Sequence, residues 1–231
     1  MTRARIDHLV VAGASLADCV QWCEATLGVS PGAGGRHPLM GTHNRLLDLS
    51  STAHPRCYLE LIAVEPGVAP TRAPGLRRWF DLDDEGLQAS LRVEGPRLIH
   101  FVARVADAQA TVDSLAHETP PVNRGAVIQA TRDSPAGRLE WRISVRDDGQ
   151  RLMQGLLPTV IQWGNLHPTG TMPPSGLTLE RLVARHPQAM PLAANLACIG
   201  LHDVETQPGP PLLTAWLQTP RGPVSLCSDG I

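Results

Sequence analysis

The sequence predicts an α+β fold of paired βαβββ modules, forming a cupped, partly closed mixed sheet with helices outside, plus a partial third β-α-β-β unit. Three observations predict it. The run Arg5-Ile6-Asp7-His8-Leu9-Val10-Val11 returns as Arg97-Leu98-Ile99-His100-Phe101-Val102-Ala103, each with a histidine three residues after an arginine. Tyr58-Leu59-Glu60-Leu61-Ile62 is echoed by Val160-Ile161-Gln162-Trp163, each an apolar strand holding one polar residue. Between the members of each pair the chain has a helical period followed by strand-like segments. Internal repeats decide architecture, and a repeat that keeps its polar exceptions also constrains function.

The elements follow in order. Residues 5–12 form a buried strand. Ala14 to Leu27 form an amphipathic helix with Leu16, Val20, Cys23 and Leu27 on one stripe; Ser15 is placed to cap its start and Gly28 to end it. Pro31 to Gly35 make a turn, residues 40–49 a strand that starts polar and ends apolar, and residues 57–64 another strand. Residues 66–75 are rich in Pro and Gly and read as a linker, followed by a helix from Leu76 to Leu91. The pattern then restarts, with a strand at 97–104, a helix at 106–116, strands at 127–131 and 139–145 around an Asp133 to Gly137 turn, and a strand at 157–163. After a Pro-rich loop at 168–176, Leu177 to Val183 alternates like a strand, 191–201 is helical, and 212–217 pairs with 223–226 as a hairpin. The organisation read from this is a first module over 1–65, a linker and helix over 66–96, a second module over 97–167, and a partial third unit over 168–231 packed on the same domain.

Composition excludes several function classes. At 231 residues the chain can bury a sizeable core. Net charge is −2 and no basic run is long enough to track phosphates, which argues against nucleic acid. Every one of the 20 Lys+Arg residues is arginine, so neither a Schiff-base lysine nor a P-loop lysine exists. Five scattered cysteines contain no CxxC pair, against a zinc knuckle. No signal peptide is apparent and no apolar run reaches membrane-spanning length. The expectation is a cytoplasmic protein whose partner is a small molecule rather than a membrane.

Residues in the middle of the first and last strand of each module point into the cup, so His8 and Glu60 meet from one module, and His100 and Gln162 from the other. Two histidine nitrogens with a carboxylate suit a divalent metal with open positions, able to polarise a carbonyl or stabilise an enediolate. A lone Glu inside an apolar strand is costly unless paired or ligating. A second arrangement uses the first module alone: His37 with His8, Asn44 and Glu60, where the Gly-rich turn and Gly41-Thr42 allow close approach to a small ligand. Thr42 and Asn44 alternate on one strand face as hydrogen-bonding groups. Trp141 and Trp163 read as wall or core. His167, His186 and His202 fall in loops facing solvent, and Arg138 and Arg142 read as a solvated face.

The Asp7-His8-Leu9-Val10-Val11 start, the Gly34-Gly35-Arg36-His37 and Gly41-Thr42-His43-Asn44 segments, and Tyr58-Leu59-Glu60-Leu61 resemble the glyoxalase-like domain of the vicinal oxygen chelate superfamily. The resemblance is clear over residues 5–65. It continues through Arg78-Trp79-Phe80, residues 158–163 and the His167-Pro168 loop. It implies that His8, Glu60 and His100 are metal ligands, with zinc, nickel, manganese or iron as candidates, and that Glu60 and His8 are catalytic. With them, His37, Thr42, Asn44, Gln162 and Trp163 are the expected substrate-binding residues. It implies a metal-dependent lyase or isomerase; the alternatives within the superfamily are a non-catalytic small-molecule binding protein and an extradiol-type dioxygenase. Gln162 stands where the resemblance expects a second glutamate, and a neutral amide cannot accept a proton as a base. The cup closes either within one chain or between two in a homodimer.

Overall fold

The computed structural model describes residues 3–134 and 137–228, so Pro135 and Ala136 of the expected turn lie outside the described residues. The first module consists of β1 (Arg5–Ala12), α1 (Leu16–Leu27), β2 (Arg36–His37), β3 (Thr42–Asp48) and β4 (Tyr58–Val64). After α2 (Glu85–Glu94), the second module repeats the order with β5 (Arg97–Arg104), α3 (Ala108–Ala116), β6 (Ala126–Ser134), β7 (Gly137–Val145) and β8 (Thr159–Trp163). Together they make one eight-stranded mixed sheet, ordered β2-β3-β4-β1-β5-β8-β7-β6, cupped and nearly closed. The modules meet where β1 pairs antiparallel with β5, and each of these central strands pairs parallel with the last strand of its own module, β4 or β8.

Local chemistry accounts for the boundaries. The Ser15 hydroxyl accepts the Asp18 N–H at the start of α1, and Gly28, at φ 75°, ends it in the left-handed conformation that glycine adopts without penalty. Cys19, Cys23 and Leu27 are its buried stripe. Burial pushes both thiols up to about 12, so these cysteines serve packing. The helix expected from Leu76 begins later. The Asp84 carboxylate accepts the Leu87 N–H as the N-cap of α2, while Phe80 and Asp81 are left-handed at φ 61° and 58° and break any helix before it. That break is held by Asp81 N–H to Gly149 O (3.0 Å) and Arg151 Nε to the Asp81 carboxylate (2.9 Å).

Alternation along the strands builds two cores on the two faces of the sheet. Leu9, Val11, Leu59, Leu61 and Phe101 face α1 and α3; Val10, Ala12, Ile62, Ile99 and Val102 face the concave side with Trp79, Phe80 and Trp141. Each fully buried aliphatic or aromatic side chain contributes roughly 1.5–3 kcal/mol.

The β1/β5 pairing departs from regular register twice. Ile6 faces Ala103 and His8 faces Val102, leaving Asp7 as an extra residue in β1; Val10 faces His100 and Val11 faces Leu98, leaving Ile99 extra in β5. A bulge re-aims the side chains beside it. Here it reverses the parity of β1, so that Ile6 joins the outer core while His8 falls in phase with Val10 and Ala12 on the concave side. The bulge is itself duplicated, one residue before each repeated histidine.

The third stretch keeps the order strand, helix, strands: β9 (Thr178–Arg185), α4 (Ala189–Cys198), β10 (Glu205–Gln207), β11 (Leu212–Thr219) and β12 (Gly222–Cys227). It forms a separate four-stranded sheet, ordered β10-β9-β11-β12, instead of extending the cup. Its Leu179, Leu182, Leu213 and Leu217 share the outer core with Leu9 and Phe101. Among the described residues, no helix is long and apolar enough to cross a membrane.

Candidate functional site

His8, His37, Asn44 and Glu60 converge on a small inner cavity of about 30 Å³, walled by Tyr58, Trp79, Phe80, Trp141 and Trp163. The first-module arrangement expected from sequence is therefore assembled. β1 supplies His8, the β2/β3 hairpin His37 and Asn44, and β4 Glu60.

Asp7 is fully buried. Burial alone raises a carboxyl pKa, but hydrogen bonds from His167 and His8 outweigh it and hold Asp7 well below the usual carboxylate range. An ionised carboxylate only accepts, so the His8 Nδ1–H donates to Asp7 Oδ1 at 2.7 Å. Oδ2 accepts the Trp163 Nε1–H (3.1 Å) and the His167 Nε2–H (3.1 Å), with the Arg104 guanidinium 3.7 Å away. The His8 ring also stacks on Tyr58, with centroids 4.5 Å apart.

With Nδ1 committed to Asp7, Nε2 is the His8 ring nitrogen left to face Glu60, and it lies 3.6 Å from Glu60 Oε2, a gap longer than a hydrogen bond. The other Glu60 oxygen, Oε1, accepts the Asn44 Nδ2–H at 2.6 Å. Asn44 Nδ2 also lies 3.5 Å from His37 Nε2, and His37 Nδ1 is 3.1 Å from the Thr42 hydroxyl. Burial, and secondarily Arg132, lowers the His37 pKa to about 3, so this ring is a neutral wall and hydrogen-bonding group. Thr42 holds His37 and does not line the cavity.

Gly34 and Gly35 have a different use from the close ligand approach expected of them. A Cβ on Gly34 would sit 1.9 Å from the Asn44 carbonyl oxygen, and one on Gly35 would sit 2.4 Å from Arg132 Cδ. The glycines let the turn lie on β3 and let Arg132 reach in from β6.

Two second-module residues stand elsewhere. The His100 Nδ1–H donates to Gly155 O (2.8 Å), and Nε2 accepts from the Thr159 N–H (3.1 Å) and hydroxyl (3.0 Å). Both nitrogens are committed, and burial keeps the ring neutral by pulling its pKa well below the ordinary value. Gln162 is out of phase with the cavity residues Ile161 and Trp163; its Oε1 accepts the Ala108 N–H at 3.0 Å at the start of α3. Trp163 lines the cavity. His167, expected in a solvent-facing loop, is buried against Asp7, and His186 is buried with Nε2 at 2.8 Å from Gln154 Oε1; His202 is exposed. Arg138 and Arg142 are solvated.

The expected three-ligand metal set does not come together. Only His8 Nε2 and Glu60 Oε2 face each other as donors, because His100 spends both nitrogens on backbone and Thr159. Among the described residues, no group of three or more His, Cys, Asp or Glu side chains is disposed to hold a metal ion. The donor set does not fit a resident divalent metal.

Sequence reasoning missed Asp7, His167, Tyr58, Trp79, Phe80 and Arg132. Asp7 did carry a signal, as a charged residue in a buried apolar run, whereas Arg132 looks from sequence like any other strand arginine.

A fold of two βαβββ modules around a buried histidine and carboxylate defines a glyoxalase-like class. The chain belongs to the Glyoxalase-like domain family, whose model matches residues 6–200, and with it to the vicinal oxygen chelate superfamily. No curated protein matches it. Among solved structures, a hypothetical protein from Staphylococcus aureus is 14% identical with a TM-score of 0.58, over 89% of this chain and 86% of that one. Streptomyces coelicolor methylmalonyl-CoA epimerase, in complex with 2-nitronate-propionyl-CoA, is 19% identical with a TM-score of 0.42, over 71% and 96%. Methylmalonyl-CoA epimerase from Mycobacterium tuberculosis is 17% identical with a TM-score of 0.37, over 72% and 91%. The first likeness concerns the fold alone, and the epimerase overlays are too loose to carry an argument.

Proposed function

We propose that the chain binds a small oxygenated carbonyl compound in the cup and moves a proton on it, as an isomerase or lyase of the glyoxalase type. The observation that carries this reading is the geometry of His8 Nε2 and Glu60 Oε2, facing each other at 3.6 Å beside a cavity. In the reactive form a proton on His8 Nε2 is stabilised through Asp7 at Nδ1, and Glu60 is the base. Glu60 Oε2 then takes the proton from the carbon next to the substrate carbonyl while His8 Nε2–H donates to the carbonyl oxygen, giving an enol. Where the deprotonated carbon bears a hydroxyl, Glu60 returns the proton to the former carbonyl carbon while the now neutral His8 Nε2 takes the proton of that hydroxyl, which completes an isomerisation. Asn44 holds Glu60 in line, and the aromatic walls limit water in the site. Zinc, nickel, manganese or iron enters no step, because among the described residues no three His, Cys, Asp or Glu side chains are disposed to hold a metal ion.

The experiment is solvent exchange. Pyruvate and hydroxyacetone are incubated with the protein in deuterium oxide, and loss of the carbon-bound proton signal is followed by NMR. Exchange above the buffer rate is expected, falling at least about a hundredfold in Glu60→Gln and His8→Gln. Exchange unchanged in both variants would overturn the assignment. A second reading, ligand binding without chemistry, is favoured by the five aromatic walls, and binding without exchange in the unaltered protein would select it.

A further inference from the structure

Arg132 reaches the site from β6, on the far edge of the second module, and its charge is not spent. Its one hydrogen bond among the described residues runs from NH1 to Asn44 Oδ1, at 3.3 Å, and it forms no ion pair there. Asn44 stands between it and Glu60, donating to the carboxylate through Nδ2 while accepting from the guanidinium through Oδ1. Opposite charges that could have paired are kept apart by an amide. The half-buried guanidinium has five N–H donors, and those not turned onto Asn44 are open to a ligand's acceptors. A second idle donor belongs to the same cavity: the Trp79 Nε1–H is buried with no partner among the described residues.

Arg132 also lies at a junction. Outside the inner cavity is a larger chamber of about 260 Å³ with Leu47, Leu139, Met172 and Pro173 in its walls; the two share Leu46, Arg132 and Pro168. Two carboxylates, Asp48 and Asp133, line the outer chamber as well, and Asp48 Oδ1 is turned onto the Ser50 N–H and hydroxyl. The unspent positive charge sits at the throat, and the apolar surface lies outward of it.

We propose that Arg132 is an anion-recognition residue, and that the site takes a small carboxylate whose charged group binds Arg132 at the throat and whose apolar body fills the outer chamber. A planar guanidinium matches a carboxylate with two parallel N–H bonds. The inference stands on Arg132 and the two cavities it joins and does not require the proton-transfer reading.

The test is calorimetric binding of pyruvate and phenylpyruvate against their uncharged amides, pyruvamide and phenylpyruvamide, with unaltered protein, Arg132→Gln and Arg132→Lys. The unaltered protein binds each acid about ten- to a hundredfold tighter than its amide, the worth of a charge-assisted pair. Arg132→Gln removes that preference and leaves amide binding in place, and Arg132→Lys keeps part of it. Gly35→Ala, whose Cβ displaces the guanidinium without touching its charge, lowers acid binding in the same direction. Equal binding of acid and amide by the unaltered protein, no acid binding at all, or a preference that survives Arg132→Gln overturns the proposal. The unaltered protein separates it from the proton-transfer reading: an acid preference there without deuterium exchange sinks the chemistry and leaves the anion site standing.

Discussion

Thr159 occupies in the second module the place that Glu60 occupies in the first. Val10, two residues after His8, pairs with Glu60 across β1 and β4; Val102, two residues after His100, pairs with Thr159 across β5 and β8. The repeat in sequence suggested Gln162 as the counterpart of Glu60, three positions too late. Register settles it, because a one-residue slip moves every side chain to the other face. The second module therefore holds a closed His100–Thr159 pair, with Arg124 donating to the same hydroxyl, where the first holds an open His8–Glu60 pair.

Asp7 acts on the reaction through His8. Asp7→Asn presents an amide to three N–H groups, so the variant loses about 3 kcal/mol of stability, as when one partner of a buried ionic cluster is removed. Solvent exchange of pyruvate falls by about 10–100-fold, the usual loss when a histidine's orienting partner is removed. The readout specific to positioning is the His8 ring by nitrogen NMR: Nδ1–H in the unaltered protein, a mixed or reversed tautomer in Asp7→Asn. An unchanged tautomer would show that Asp7 serves packing only.

Stability falls on acidification in two stages. His37 and His100 have folded pKa values below their ordinary value, His37 at about 3, so below about pH 6.5 the unfolded chain takes up protons that the folded chain refuses. Their contribution is complete above about pH 6.5, and each loses up to about 1.4 kcal/mol per pH unit below it. Asp7, held below the carboxylate range, adds its own loss below about pH 4, where the unfolded carboxyl protonates first. Urea midpoints measured from pH 7.5 to 4 should hold down to about pH 6.5 and fall below it. A midpoint constant over that range contradicts the buried neutral histidines.

His100 is a structural residue. His100→Ala strands the Thr159 N–H and the Gly155 carbonyl and leaves a cavity, lowering stability by roughly 2–4 kcal/mol. Zinc titration followed by calorimetry should give the same weak binding with and without His100. A metal affinity that is high in the unaltered protein and collapses in His100→Ala would restore the three-ligand set.

Gln162 braces α3. Gln162→Ala frees the Ala108 N–H and costs about 1 kcal/mol, read from the thermal midpoint, because Asp107 still caps the helix through the Ala110 N–H. Pyruvate affinity should not change. A loss of affinity would return Gln162 to the binding site.

The sequence by itself determined the duplicated modules, the helix α1 from its Ser15 and Gly28 ends, and the candidacy of His8 and Glu60, because strand-length apolar runs and the few polar residues that interrupt them are local signals. It also held the grouping of His37 and Asn44 with that pair, through spacing within one hairpin. Tertiary structure decided the rest. Whether His100 is open or spent depends on Gly155 and Thr159, more than fifty residues away, and whether Gln162 faces cup or helix depends on the phase of β8. Arg132 reaches the site only because the sheet curls until its side chain, from β6, meets Asn44 on β3, where Gly35 leaves room for it. Charge pairing, register and curvature are long-range properties, and a linear pattern of apolar residues does not encode them at any one position.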